Sequence, residues 1–488
     1  PPIGASVTMV FEAFNVQSQV YYWKVFDLVV GNPKGYAAIV ELDDGFDIDL
    51  VSYSPSRNTF SLSRNMLGAS AIPRKGVTPI DIVTATGTAT HDLSPTSANP
   101  DGTRYSVWIL TDQYTTRVSA KDFSWSEDYN AEASVERGSY LDTAYVQKGR
   151  PIIFQKVRVT DHQGFQTWMY MDDNGERNWF LYQTHAPYRF LANPINAGFK
   201  KTESGKNLSD IESRFDPSPH AFIYMNFGAL FYDRDSRSFK FALVNTRNTF
   251  TWYGYYYSVA LATEAEGGQF KFSDPQFEDV IYMGEMYRSV TAPDGVVIVK
   301  LKNSAGYRCL QFSGGRNEGE IVTTTGRKRT SFFPPGSAIG NMKFLATYPS
   351  YPNNPFIYYV TKDNRVWRAD VSSSEAVEKE VTSTFIKGGY TEITAFKFLL
   401  PQSQGGADCP AALERGLAVA TFDASKGKAT GGKLEIFTLK NSLDGEMEVA
   451  RHPSDDNLAE GEDGEKQEQI TMSFEGMGRI VGLDYKKK

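Results

Sequence analysis

The sequence predicts an all-β chain, a β-propeller of about seven blades preceded by the last strands of a β-sandwich. Three observations carry this. Aromatic residues form 14% of the 488 residues, with 27 Tyr and 32 Phe, and such side chains suit pleated, half-buried strands. Gly and Pro number 41 and 23, which favours many short strands joined by turns over long helices. Finally, short apolar runs bounded by turn residues recur along nearly the whole chain.

Taken in order, Ser6 to Phe14 and Val20 to Val30 read as a hairpin joined by Val16-Gln17-Ser18-Gln19. A lone hairpin is marginal in water, and Gly31-Asn32-Pro33-Lys34-Gly35 breaks the pattern after it. Residues 1–30 are therefore expected to be the end of a sandwich and residues 36–488 the propeller. The chain opens on Pro1-Pro2-Ile3 as if inside a domain; removal of an export leader or a trimmed start would each explain that.

Seven sets of strands follow. The first is Tyr36 to Leu42, Phe46 to Tyr53 and Thr59 to Ser63, with Asp44-Gly45 as a hairpin-turn signal. Ile80 to Ala85 leads the second, with three short strands between Tyr105 and Trp125 that turn at Asp112-Gln113 and Ala120-Lys121-Asp122. The third is Ile152 to Val159, Gln166 to Met171 and Asn178 to Tyr182; the fourth is Ala221 to Phe227, Ala229 to Tyr232 and Ser238 to Val244. Val280 to Tyr287, Val296 to Lys302 and Tyr307 to Phe312 make the fifth. The sixth is Met342 to Tyr348, Phe356 to Thr361 and Arg365 to Ala369, turning at Asp363-Asn364. Ile393 to Phe398, Gly416 to Phe422 and Lys433 to Leu439 form the seventh. The terminal Arg479 to Tyr485 run has no partner of its own. Pairing it with the first set would close the ring and hide an open edge.

Composition removes several functions. A net charge of −7 lacks the basic face that phosphate backbones require. No apolar run approaches the ~20 residues that span a bilayer as a helix. The five histidines, His91, His162, His185, His220 and His452, form no HExxH pattern, and ordinary hydrogen-bonded roles are expected for them. Asp172-Asp173-Asn174-Gly175-Glu176 lacks the spacing of a calcium loop and reads as a turn. Gly476-Met477-Gly478 reads as a turn into the last strand, not a dinucleotide fingerprint. No metal ligands, catalytic residues or cofactor are assigned. Cys309 and Cys409 sit in unlike contexts, and their pairing stays open.

The local composition that stands out is Phe250 to Tyr257, FTWYGYYY. Trp252, Tyr253, Tyr255 and Tyr256 could stack on a sugar ring or clamp a peptide, or pack between blades as core. Tyr348 and Tyr351 form a second aromatic loop with the same two readings.

Several runs resemble the PKD-like family of Bacteroidetes lipoproteins: ILTDQYTTRVSAKDFSW (109–125), FIYYVTKDNRVWRAD (356–370), EITAFKF (392–398) and FEGMGRIVGLDYK (474–486). DVIYMGEMYRS (279–289) fits less tightly. The resemblance implies an exported lipoprotein with a lipidated Cys, one PKD (Ig-like) sandwich and a propeller-like domain, encoded beside Sus-like outer-membrane uptake proteins. Residues 1–30 would then end the PKD module, and the lipid anchor would precede this chain. The resemblance bears on location and fold more than on activity; the function expected is non-enzymatic, a cell-surface protein that binds peptide or glycan or docks on the Sus-like transporter and neighbouring lipoproteins. The alternatives are a propeller glycan hydrolase or lyase, which needs converging carboxylates or His in the funnel, and a purely structural interaction subunit.

Overall fold

The computed structural model describes residues 6–29, 34–54, 58–85, 106–120, 122–131, 154–162, 166–173, 177–182, 197–202, 205–211, 222–225, 228–233, 237–244, 257–261, 263–264, 276–287, 293–313, 320–321, 329–347, 355–399, 413, 416–441, 443–453 and 471–486. Among them are seven antiparallel sheets of three or more strands. In each, successive strands of the sheet pair antiparallel, the two strands near the C-terminus excepted, which pair with strands far earlier in the chain. Sheet one is Lys34–Leu42, Gly45–Ser54 and Thr59–Ser63, with Arg479–Lys486 added on the other side of Lys34–Leu42. Sheet two is Pro79–Ala85, Ser106–Thr111 and Thr115–Ser119; sheet three is Phe154–His162, Gln166–Asp173 and Arg177–Tyr182. Sheet four runs Phe222–Met225, Gly228–Asp233, Ser238–Val244 and Tyr257–Leu261. Sheet five runs Phe277–Tyr287, Pro293–Leu301, Tyr307–Ser313 and Arg329–Phe333. Sheet six is Met342–Thr347, Phe356–Thr361, Val366–Asp370 and Val377–Glu380. Sheet seven is Glu392–Phe398, Leu417–Phe422, Gly432–Asn441 and Glu446–Val449, with Ser473–Met477 also paired to Gly432–Asn441.

The order in which these sheets pack defines the fold. Contacts between sheets join the innermost strand of one to the innermost strand of the next, which is the first strand of each sheet except sheet one, from sheet four through five, six, seven, one and two to sheet three. Innermost strands side by side around an axis, with the others fanning outward, are the geometry of a β-propeller. Separate apolar cores lie between successive sheets. Ile298, Cys309, Ile357 and Tyr359 pack sheet five on sheet six. Tyr358, Val360, Val419 and Phe437 pack six on seven. Ala418, Ile436, Tyr36 and Leu483 pack seven on one, and Ile48, Leu50, Ile82 and Val107 pack one on two. Both faces of a blade strand are thus covered, which is why Leu417–Phe422 is buried at every position.

The last strand closes on the first sheet as the sequence implied. Tyr36 lies opposite Tyr485 and Ala38 opposite Leu483, and Arg479–Lys486 takes the innermost place between sheets seven and two. Ser6–Asn15 and Val20–Val29 form the expected hairpin. Asn15 Oδ1 accepts from the backbone N–H groups of Gln17 and Ser18 in its turn, and Tyr21, Tyr22 and Trp23 are exposed.

Three readings change. The two-residue turn of the first hairpin is Asp43-Asp44, with Leu42 opposite Gly45. Gly45 flanks it at φ 117°, where a Cβ would fall 2.1 Å from the Arg74 carbonyl oxygen. Phe123 to Trp125 is not a strand: Phe123 turns at φ 58° with its ring buried, and Trp125 reaches back to donate to Thr116 Oγ1 at 2.8 Å. Sheets four to seven also each carry a further outer strand: Tyr257–Leu261, Arg329–Phe333, Val377–Glu380 and Glu446–Val449. Cys309 is a free, buried thiol, and burial pushes it up to about 12; Cys409 lies outside the described residues.

Candidate functional site

None of the aromatic candidates can be placed. Trp252, Tyr253, Tyr255, Tyr256, Tyr348 and Tyr351 all lie outside the described residues, as do His91, His185 and His220. His452 has an ordinary structural role: it is buried, and its Nε2 accepts from the Phe60 N–H at 3.1 Å. Among the described residues, no group of three or more His, Cys, Asp and Glu is placed to hold a metal ion.

The structure instead brings together a groove between sheets six and seven. It begins with strand alternation, which puts residues two apart on one face. In Val366–Asp370 (VWRAD), Val366 and Arg368 share the face turned to sheet seven, while Ala369 faces sheet five. The register sets Tyr358 opposite Arg368 and Arg368 opposite Lys379, so a row of three polar side chains crosses an otherwise apolar face. Arg368 is 91% buried, being 9% exposed. Its guanidinium sits 4.9 Å from the centre of the Phe356 ring. Its Nη1 is buried and meets no hydrogen-bond acceptor among the described residues.

Sheet seven supplies the opposite wall through the turn Leu443–Gly445 and the strand Glu446–Val449. Tyr358 donates its hydroxyl to the Gly445 carbonyl at 2.7 Å, which pins the two sheets together. Gly445 holds φ 68°, and a Cβ there would lie 2.5 Å from the Phe356 ring and 2.8 Å from the Tyr358 oxygen. Only glycine lets the turn approach this closely. The cavity left between the walls measures about 310 Å³. Phe385 and Met447 line its apolar part, and Lys379, Glu380, Lys440, Glu446 and Glu448 its polar part. Glu380 is already engaged, accepting from the Thr382 hydroxyl at 2.8 Å with Arg365 3.7 Å away.

A second polar constellation joins sheets one, six and seven. Arg479 donates to Glu41 and Glu392, each at 2.7 Å, and Lys428 donates to Glu41 at 2.6 Å. Burial pushes the Glu41 carboxyl up, but the Lys428 and Arg479 hydrogen bonds outweigh it and hold the group below its ordinary value. Lys343, whose Nζ donates to the Ile393 carbonyl at 3.0 Å, is held low by burial and by Arg479, with Glu392 opposing. These charges satisfy one another and brace the closing strand. Chemically they have little left to offer a substrate. Arg368 does, because a guanidinium is always charged and presents a planar fork of N–H donors.

No protein-family model matches the chain, and no curated protein does; the PKD-like resemblance is thus not recovered by sequence comparison. Solved structures similar to the chain include a quinoprotein alcohol dehydrogenase-like protein from Bacteroides thetaiotaomicron, at 11% identity and TM-score 0.38 over 99% of this chain and 85% of that one. Another is the Swd1 β-propeller domain from Myceliophteria thermophila, at 9% identity and TM-score 0.37 over 83% and 98%. A mutant of AofleA from Arthrobotrys oligospora shares 9% identity, with TM-score 0.32 over 82% and 94%. The sheet order, not these distant likenesses, defines the propeller here.

Proposed function

We propose that the chain is a non-enzymatic binding protein, a seven-bladed propeller that takes a peptide or glycan ligand between sheets six and seven. The observation that carries this is the Arg368 groove. A buried N–H left without an acceptor costs about 1–3 kcal/mol, and an incoming acceptor would recover that cost. A cavity of 310 Å³ lies at the small end of the roughly 300–1,000 Å³ typical of ligand sites, so it suits one terminal residue of a polymer. The family resemblance supplies the setting: an exported outer-membrane lipoprotein of the cell surface, working beside a Sus-like transporter and neighbouring lipoproteins in nutrient uptake.

Two experiments test this reading. Met447→Trp fills the groove, so binding of any peptide or oligosaccharide found by a calorimetric screen should fall at least tenfold in protein whose circular dichroism shows it folded, at a melting temperature lowered by overpacking. Undiminished binding would exclude the groove. Isolation of the native protein from its membrane in mild detergent should bring transporter components with it, and recovery of the protein alone would remove the uptake setting.

A further inference from the structure

Resting on that groove, we infer that the ligand is recognised through a carboxylate held by Arg368. The guanidinium is nine-tenths buried, stacked over Phe356 and, among the described residues, short of an acceptor at Nη1. Its cross-strand neighbour Tyr358 donates its hydroxyl to the Gly445 carbonyl, and Arg368 Nη1 makes no hydrogen bond to that oxygen. Glu380 is held by Thr382 and Arg365. Glu446 and Glu448 are exposed at the rim, where water solvates them.

The charge balance around the cavity selects the kind of anion. Arg368, Lys379 and Lys440 line the same space as Glu380, Glu446 and Glu448, so the lining is close to neutral. A phosphate or sulfate ester brings up to two charges and bulk beside three carboxylates, whereas a carboxylate brings one charge in a plane. Guanidinium and carboxylate also match as two parallel N–H···O bonds, which are shorter and stronger than neutral ones. Phe385 and Met447 offer an apolar surface beside that contact, and the rim glutamates can accept from hydroxyl or amide N–H groups of the same ligand. A uronic acid and a peptide C-terminus both present this chemistry.

The experiment is calorimetry of the full chain against matched pairs at millimolar concentration: D-glucuronate with D-glucose, N-acetylalanine with its amide, and acetate with acetamide. Each acid should bind at least tenfold more tightly than its neutral mate, and the better of the first two acids tells sugar from peptide. Arg368→Met should erase the difference, and Arg368→Lys, which keeps charge but not the fork, should restore part of it. The lysine variant also guards against simple loss of folding, since both variants are read beside their melting curves. If acids and neutral mates bind alike and Met447→Trp blocks both, the carboxylate inference falls while the groove survives. If a phosphate or sulfate ester outbinds every carboxylate, or no acid binds at all, the inference is overturned.

Discussion

Lys486 ends the closing strand with its side chain 1% exposed. Burial, with the Lys34 charge beside it, pulls its ammonium down to about 7. In the unfolded chain the same group titrates near ~10.4. Between those two values the unfolded state holds a proton that the folded state has released, so stability rises with pH across that window. Below about 7 the folded protein carries the buried charge, and the penalty is fully present. Lys486→Met should therefore raise the melting temperature at pH 6.5 and flatten its rise between pH 7 and 10. A wild-type melting temperature that does not change between those limits would show that Lys486 stays charged in the fold. The residue scale is also where the sequence was least informative. Arg368 stood inside VWRAD as one charge in a short strand, and only the register showed that it shares the inward face with Val366. The signal was there in the alternation: an arginine falls where the pattern calls for an apolar residue. Aromatic density drew attention to Trp252 and its neighbours instead, because stacking chemistry is visible in composition while an unmet donor is not.

At the scale of elements, sheets one and two meet through Gly482 and Thr84. The Thr84 backbone N–H donates to Asp484 Oδ2 at 2.7 Å, and its hydroxyl donates to the Tyr485 carbonyl at 2.8 Å. A Cβ on Gly482 would fall 2.4 Å from Asp81 Oδ1, 2.8 Å from Asp81 Cα and 2.9 Å from the Ile82 nitrogen. The backbone atoms cannot step aside as a flexible side chain could, so glycine is required by close approach. Gly482→Val should destabilise by about 1–3 kcal/mol, the usual cost of overpacking, with Gly482→Ala shifted less in the same direction. Urea melts measure this, and a valine variant as stable as the parent would refute the contact. Elements were largely legible in sequence because inner strands are apolar on both faces and turn residues punctuate them; Asn364, for example, takes φ 61° in the predicted Asp363-Asn364 turn. The outer strands escaped notice for the opposite reason. Val377–Glu380 (VEKE) has no buried position, and Glu446–Val449 (EMEV) has one, so neither shows an apolar run.

At the scale of the whole molecule, the chain's two ends do unequal work. Arg479–Lys486 is the inner strand of sheet one, and its Ile480, Leu483 and Tyr485 are buried in the core shared with sheet seven. Burying a large apolar side chain stabilises by about 1.5–3 kcal/mol, so these three contribute on the order of 5–9 kcal/mol. That is comparable with the ~5–15 kcal/mol by which a whole domain is stable. The strand also carries Arg479, which ties Glu41 of sheet one to Glu392 of sheet seven. Its loss would leave the inner edge of Lys34–Leu42 unpaired and open for association with other chains. The hairpin Ser6–Asn15/Val20–Val29 pairs within itself, and Tyr21 and Trp23 at its tip are 68% and 70% exposed. Two deletions separate these contributions. Removing residues 479–488 should abolish the cooperative thermal transition and drive the protein into aggregates. Removing residues 1–33 should leave both the transition and its midpoint as they are in the full chain. Circular dichroism melts and size-exclusion profiles of the two variants decide the matter. If the longer, N-terminal deletion collapses the fold while the closing-strand deletion melts normally, the ring is not held together by its last strand.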